Sequence, residues 1–225
     1  MAAASYDGDI HRFLQKVFLC SPDVAASIGK RAQDRRFPVH AVLLKQGDRA
    51  GAAFLLVTGC AHALTYSVDG QTVLLREFLP GDFFGAVALS EPSPEEADVV
   101  AVEAVRAAVF LALDFLNLME TYGCVGLVVS RVLQRQLRAT STKMLERSTL
   151  SAAGRVHAEL LRLARLGDGR TLRPAPVLSA LAVRVQTTRE TVSRAINTLE
   201  RRGIIRRDGG ALFIVAPQRL EEMIV

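Results

Sequence analysis

From Phe37 to Leu113 glycine turns punctuate the chain at intervals of about 8–12 residues, a rhythm that leaves room for short strands and none for a long helix. The runs between the turns are Val39–Leu44, Ala53–Thr58, Ala61–Tyr66, Thr72–Leu79 and Val99–Leu113, each β-branched or alternating in polarity. The turns are Gly47-Asp48, Gly59, Asp69-Gly70 and Pro80-Gly81-Asp82. Asp69-Gly70 suits a tight hairpin because both residues tolerate positive φ. Many short strands spaced this way predict a sandwich, a barrel or a jelly roll.

At Asp114 the period changes to that of a helix, which is expected to run to about Arg147. Val125, Val128, Val132, Leu133, Leu137 and Met144 recur at nearly heptad spacing. A stripe of that length must be covered, and a second copy of the same helix is the favoured cover, with the chain's own strands as the alternative. Ser151 is placed to cap a helix over 152–166, which Gly167-Asp168-Gly169 ends. A proline-bearing loop then leads to two short helices over 177–185 and 188–202, and Gly209-Gly210 separates Ile204–Arg207 from Leu212–Val215. Helix, helix and hairpin in that order predict a winged helix. The expected class is α+β: a jelly-roll-like β-roll over 1–113, a dimerisation helix over 114–150 and a winged helix-turn-helix over 151–225.

The net charge of +5 is unevenly spread. Residues 1–113 carry 10 Lys and Arg against 13 acids, whereas residues 151–225 carry 13 against 7, and all thirteen of those cations are Arg. Arg pairs bidentately with phosphates and guanine edges, so a basic end behind an acidic half predicts a partner that brings phosphates to one end only.

Several classes are excluded. No apolar run reaches the roughly 18 residues of a membrane span; Val99–Leu113 is broken by Glu103 and Arg106. The N-terminus carries Asp7 and Asp9 and lacks a secretory pattern, so a cytoplasmic protein is expected. Cys20, Cys60 and Cys124 are too few and too far apart for a disulfide framework or a CxxC site. The histidines, His11, His40, His62 and His157, form no HxH pair, so no metal site is expected. A cupin-like metal enzyme on the same roll is therefore a rival without its ligands, and a protein-binding adaptor is the other rival. No catalytic residues are expected.

The segment Thr187 to Glu200 carries the chemistry. Val192, Ala195, Ile196 and Leu199 share one helical face and can close a small core. Arg189, Glu190, Ser193, Arg194 and Asn197 lie on another, with side chains able to read base edges: Arg on guanine O6 and N7, Glu on cytosine N4. Base contacts are expected from Arg189, Glu190, Ser193 and Arg194. Backbone contacts are expected from Thr188, Thr191, Asn197, Arg206 and Arg207. A blander reading exists, since Thr187 and Glu190 match a capping box and an Arg-Glu-Arg face is an ordinary solvated surface. Arg206 and Arg207 on the wing, with the regional charge excess, tip the balance to double-stranded DNA.

With these residues in view the chain resembles the Crp/Fnr family of bacterial regulators over about residues 15–220. The likeness rests on "KQGDRAGAAFLLVTG" (45–59), "LPGDFFGAVAL" (79–89) and "TTRETVSRAINTLERRGII" (187–205). It implies a homodimer on palindromic DNA with TGA in each half-site, read by Arg189, Glu190, Ser193 and Arg194, and RNA polymerase as a further partner. In the preceding helix, Val177-Leu178-Ser179-Ala180 stands where the family often has Thr-Arg-Gln-Glu.

The same resemblance places an effector pocket at Gly85, Ala86, Glu96, Ala97, Thr140 and Ser141. Family members that bind cyclic AMP have Gly-Glu and, about ten residues on, Arg-Ser, where this chain has Gly85-Ala86 and Glu96-Ala97. Ala86 cannot bond a ribose hydroxyl, and Glu96 repels a phosphate, so cyclic AMP is not expected. Thr140-Ser141 matches the family's adenine-contacting pair and reads here as helix surface. The iron–sulfur type needs an N-terminal cysteine cluster, and only Cys20 lies near that end. Cys60 and His62 lie near where some members place a haem ligand, but a lone strand histidine reads first as structural, so no cofactor is expected.

Overall fold

The structure is a computed structural model, and it describes residues 3–49, 51–66, 72–87 and 94–224. Asp69-Gly70, Ala50 and Ala88-Leu89 of the motifs above lie outside them. Two compact units divide between Leu137 and Arg138.

The first unit opens with two helices, α1 (Ala3–Phe18) and α2 (Pro22–Gly29). Ser21 caps α2 by accepting from Val24 N, with Pro22 at the first position, and Ile10, Leu14 and Phe18 line the buried face of α1. Eight strands follow: β1 (Gln33–Phe37), β2 (Val42–Leu44), β3 (Ala52–Thr58), β4 (Ala61–Tyr66), β5 (Thr72–Phe78), β6 (Phe83–Gly85), β7 (Asp98–Ala101) and β8 (Val105–Leu111). They form two antiparallel sheets of order β1-β8-β3-β6 and β2-β7-β4-β5.

Strand composition reports which sheet is covered on both faces. Residues of β3 and β8 are buried almost without interruption, because alternate side chains enter different cores. Ala53, Leu55, Val57, Ala108 and Phe110 pack with the helices, while Phe54, Leu56, Ala107 and Val109 pack between the sheets against Ala61, Phe78 and Val99. Strands β4 and β7 alternate buried with half-buried positions, as one-sided strands do. Phe54, Phe78 and Phe84 fill the inter-sheet space, with ring centroids 5.0 and 4.8 Å apart. Arg106, buried in β8, is held bidentately by Asp34 of β1 at 2.9 and 3.0 Å.

Three expectations need correction here. The run Val99–Leu113 is two strands, because Val102 N and Glu103 N turn back to donate to Cys60 O. The single helix from Asp114 is two, α3 (Ala112–Thr121) and α4 (Gly123–Thr149), bent by 112° where Tyr122 is extended. No single helix among the described residues is long and apolar enough to cross a membrane. The third correction concerns the stripe itself: Val125, Val128 and Val132 are buried in the first unit's own core, together with Phe18, Phe83 and Phe115. Leu133, Leu137 and Met144 of the expected stripe stay exposed, at 44%, 68% and 72%.

The second unit holds α5 (Ala152–Arg165), β9 (Thr171–Leu172), α6 (Leu178–Val185), α7 (Arg189–Arg201), β10 (Ile205–Asp208), β11 (Ala211–Ile214) and α8 (Pro217–Glu221). Ser151 caps α5 as expected, accepting from Gly154 N at 3.0 Å. The hairpin turns at Gly209-Gly210, both at positive φ, and β9 joins it as a third strand in the order β10-β11-β9. Leu160, Val192, Ile196, Leu199, Ile205 and Leu212 form the core of this winged helix.

Candidate nucleic-acid interface

Helix α7 presents the face that its sequence pattern requires. Val192, Ala195, Ile196 and Leu199 are buried, while Arg189, Glu190, Arg194 and Asn197 are exposed and Ser193 is half-buried. Thr188 is the N-cap, accepting from Thr191 N at 3.2 Å. The capping box with Thr187 is off by one residue: Thr188 is the cap, and Glu190 stands at the second helical position. Its carboxyl is held below the usual carboxylate range by its own backbone N–H and the Thr188 hydroxyl, and further by the charges of Arg189 and Arg194. An ionised acceptor flanked by two cations at an exposed helix end is suited to a polyanion carrying base edges.

The wing is tied to this helix. Arg207 donates through Nε to Glu200 Oε2 at 3.0 Å and through Nη2 to Asn197 Oδ1 at 2.9 Å, and its backbone N–H reaches Glu200 Oε1 at 3.3 Å. Asn197 and Arg207, both expected on phosphates, are thus engaged with each other, because the hairpin turns the Arg207 side chain back toward α7. Arg206, the preceding residue, points the other way, as alternation along a strand dictates. It is exposed, with its guanidinium 5.3 Å from the centre of the Phe213 ring. Thr188 and Thr191 bond each other through their hydroxyls at 3.1 Å.

In the first unit, the expected pocket residues fall into two environments. Gly85 ends β6 at φ +79°, where an added Cβ would meet Ala52 O at 2.6 Å, and Ala86 is buried with its N–H donating to Ala52 O. Ala97 is buried among the inter-sheet aromatics, whereas Glu96 is exposed. Burial raises the Glu95 carboxyl, and the like charge of Glu96 adds to the shift. Two neighbouring acids therefore stand on this arm of the roll. Residues 88–93, between these arms, lie outside the described residues. In the second unit Thr140 and Ser141 are exposed on α4.

Comparison with known proteins matches a cyclic nucleotide-binding domain over residues 34–122 and a Crp-like helix-turn-helix domain over residues 154–223. The cyclic AMP receptor protein of Thermus thermophilus is 29% identical over 195 residues, spanning 85% of this chain and 88% of its own. The CRP-like cAMP-activated global transcriptional regulator of Mycobacterium tuberculosis is 28% identical over 204 residues, spanning 88% and 91%. This chain belongs to the Crp/Fnr family of transcription regulators. Solved structures agree on the fold: FixK2 from Bradyrhizobium japonicum superposes with a TM-score of 0.73 at 21% identity, covering 86% of this chain and 98% of that one. A CooA mutant from Carboxydothermus hydrogenoformans superposes with a TM-score of 0.76 at 19% identity, covering 94% and 95%.

Membership gives the winged helix its DNA-binding role and makes the chain a regulator, in place of the cupin-like enzyme or adaptor weighed above. Within the first unit, the structure assembles a group that residue spacing did not reveal. Cys60, His62 and Glu77 bring their ligand atoms within 4.8 Å of one another. The only sequence signal was Cys60-Ala61-His62, an i, i+2 pair that lines one face of a strand.

Proposed function

We propose that this Crp/Fnr protein is a homodimeric, sequence-specific regulator whose two α7 helices enter successive major grooves of a palindrome with TGA half-sites, about one DNA turn apart. The observation that carries the reading is the joint exposure of Arg189, Glu190 and Arg194 on the first turns of a helix whose opposite face is sealed in the core. Arg189 and Arg194 read guanines, Glu190 accepts from a cytosine amino group, and Ser193 meets a neighbouring base or phosphate. Thr188, Thr191 and Arg206 contact the phosphates, while Arg207 sets the angle of the wing through Glu200.

The exposed residues of α4 support a second copy packed along that helix. Leu133, Leu137 and Met144 lie close to one heptad line and are 44%, 68% and 72% exposed in the single chain. An isologous contact along that line buries them and pairs the reading heads. The protein works in the cytoplasm and engages RNA polymerase once on DNA, and its roll answers to a signal other than cyclic AMP. Ala86, Glu95, Glu96 and the packed aromatics around Ala97 support that last clause.

Binding-site selection from a random duplex pool tests the reading. The wild type should enrich a two-fold symmetric site, and Glu190→Ala should lose preference at one position in each half-site. An unchanged profile for Glu190→Ala would remove the base-reading assignment. Cyclic AMP added to the same assay should leave the affinity unchanged.

A further inference from the structure

The β-roll holds a cluster that DNA binding does not use. Gly59 turns the chain between β3 and β4 at φ +86°, in a place where an added Cβ would run into Ala104 O. The turn sets Cys60 at the mouth of β4, and the pleat puts Cys60 and His62 on the same face. Antiparallel register then places Glu77 of β5 directly opposite His62. His62 Nε2 lies 3.3 Å from Glu77 Oε1, and the Cys60 thiol donates to the same oxygen at 3.8 Å.

We propose that Cys60, His62 and Glu77 form a binding site for a single divalent transition-metal ion of zinc type, built into the β4–β5 hairpin of the roll. Zinc bonds of about 2.0–2.3 Å at tetrahedral angles separate N from O by about 3.4 Å and S from O by about 3.6 Å. The observed separations of 3.3 and 3.8 Å lie within a few tenths of an ångström of those values. The third pair, Cys60 Sγ and His62 Nε2, is also within 4.8 Å.

The donor set selects the ion. One thiolate, one imidazole and one carboxylate suit a borderline cation, and do not suit calcium or magnesium, which take oxygen ligands. Binding displaces the Cys60 thiol proton to solvent, and the thiolate and carboxylate together balance the ion's two positive charges. Cys60 is buried, while the side chains of His62 and Glu77 keep 17% and 20% exposure. The cluster therefore meets solvent on one side, where water or a signal molecule completes a fourth position. The competing reading is a cross-strand His–Glu pair with a thiol beside it, which holds no ion.

The test uses untagged full-length protein, stripped with a chelator and titrated near neutral pH with zinc against a chromophoric competitor, then with cobalt(II). One zinc per chain is expected. Cobalt should give four-coordinate visible bands and a thiolate charge-transfer band that Cys60→Ser abolishes. Glu77→Gln and His62→Gln should each weaken zinc by more than about 100-fold, beyond what loss of an outer-shell partner costs. Unchanged thermal melting of the metal-free variants shows that each still folds, and Glu77→Gln, at a half-buried position, keeps the test open if Cys60→Ser does not. Sub-stoichiometric zinc, equal affinity in Glu77→Gln, or uptake of haem with no binding of the bare ion each overturns the assignment. No DNA is present, so the result stands apart from the reading-helix proposal.

Discussion

Arg207 of the wing reaches back to Glu200 near the C-terminal end of the reading helix, and the pair fixes the angle between hairpin and helix through side-chain and backbone bonds at once. Glu200→Gln keeps the shape and removes the charge, so it should lower DNA affinity while the circular dichroism spectrum stays unchanged. The pair also carries a pH signature. Arg207 holds the Glu200 carboxyl below its ordinary range. A depressed folded value means that the wing's stabilisation is present above the unfolded carboxyl pKa of about 4.3 and is lost as pH falls through the folded value. Protection of the β10 amides, measured against their intrinsic exchange rates, should fall on acidification in the wild type and be low throughout in Glu200→Gln.

Arg206 is exposed one residue earlier, on the other side of the strand. Arg206→Ala should weaken all duplex sequences alike and reduce the slope of log affinity against log salt by about 1 per phosphate contact removed. Anisotropy titrations on a selected and a random duplex measure this. A loss confined to the selected duplex would move Arg206 from the backbone to the bases.

The exposed line on α4 makes a prediction about assembly. Leu137→Glu puts a charge where two copies are proposed to meet and should yield monomers in sedimentation equilibrium. Because each half-site then binds alone, affinity for a full palindrome should fall by about 10²-fold or more. A variant that remains dimeric would place the seam elsewhere.

Within the reading head, His157 is buried on α5 with Nδ1 3.1 Å from Met223 O. Burial lowers its pKa against the opposing effect of that bond. The unfolded chain therefore takes up a proton at higher pH than the folded one, and stability falls as pH drops below the unfolded value of about 6.5. The reading head should melt at a lower temperature at mildly acid pH than at neutral pH, and His157→Gln should flatten that part of the slope.

Much of the interface was legible because it is written locally. The apolar stripe of α7 and its polar opposite face follow from helical period alone, and both appear in the structure as read. The same holds for the Ser151 cap and for the wing's Gly209-Gly210 turn. Helix α2 carries the equally local signal Ser21-Pro22-Asp23, whereas β9 is two residues long and depends on its pairing with β11.

By itself, then, the chain's order of residues determined the types of most elements and the exposed chemistry of the reading helix, since these depend on neighbours a few positions away. Tertiary structure decided what covers each face. A helical stripe states that Val125, Val128 and Val132 need burial but not against what, and the 112° bend at Tyr122 accompanies their burial in the chain's own core. Arg207 with Glu200, and Cys60 and His62 with Glu77, likewise meet only through hairpin geometry and strand register, which depend on pairing between segments and not on the periodicity within either one.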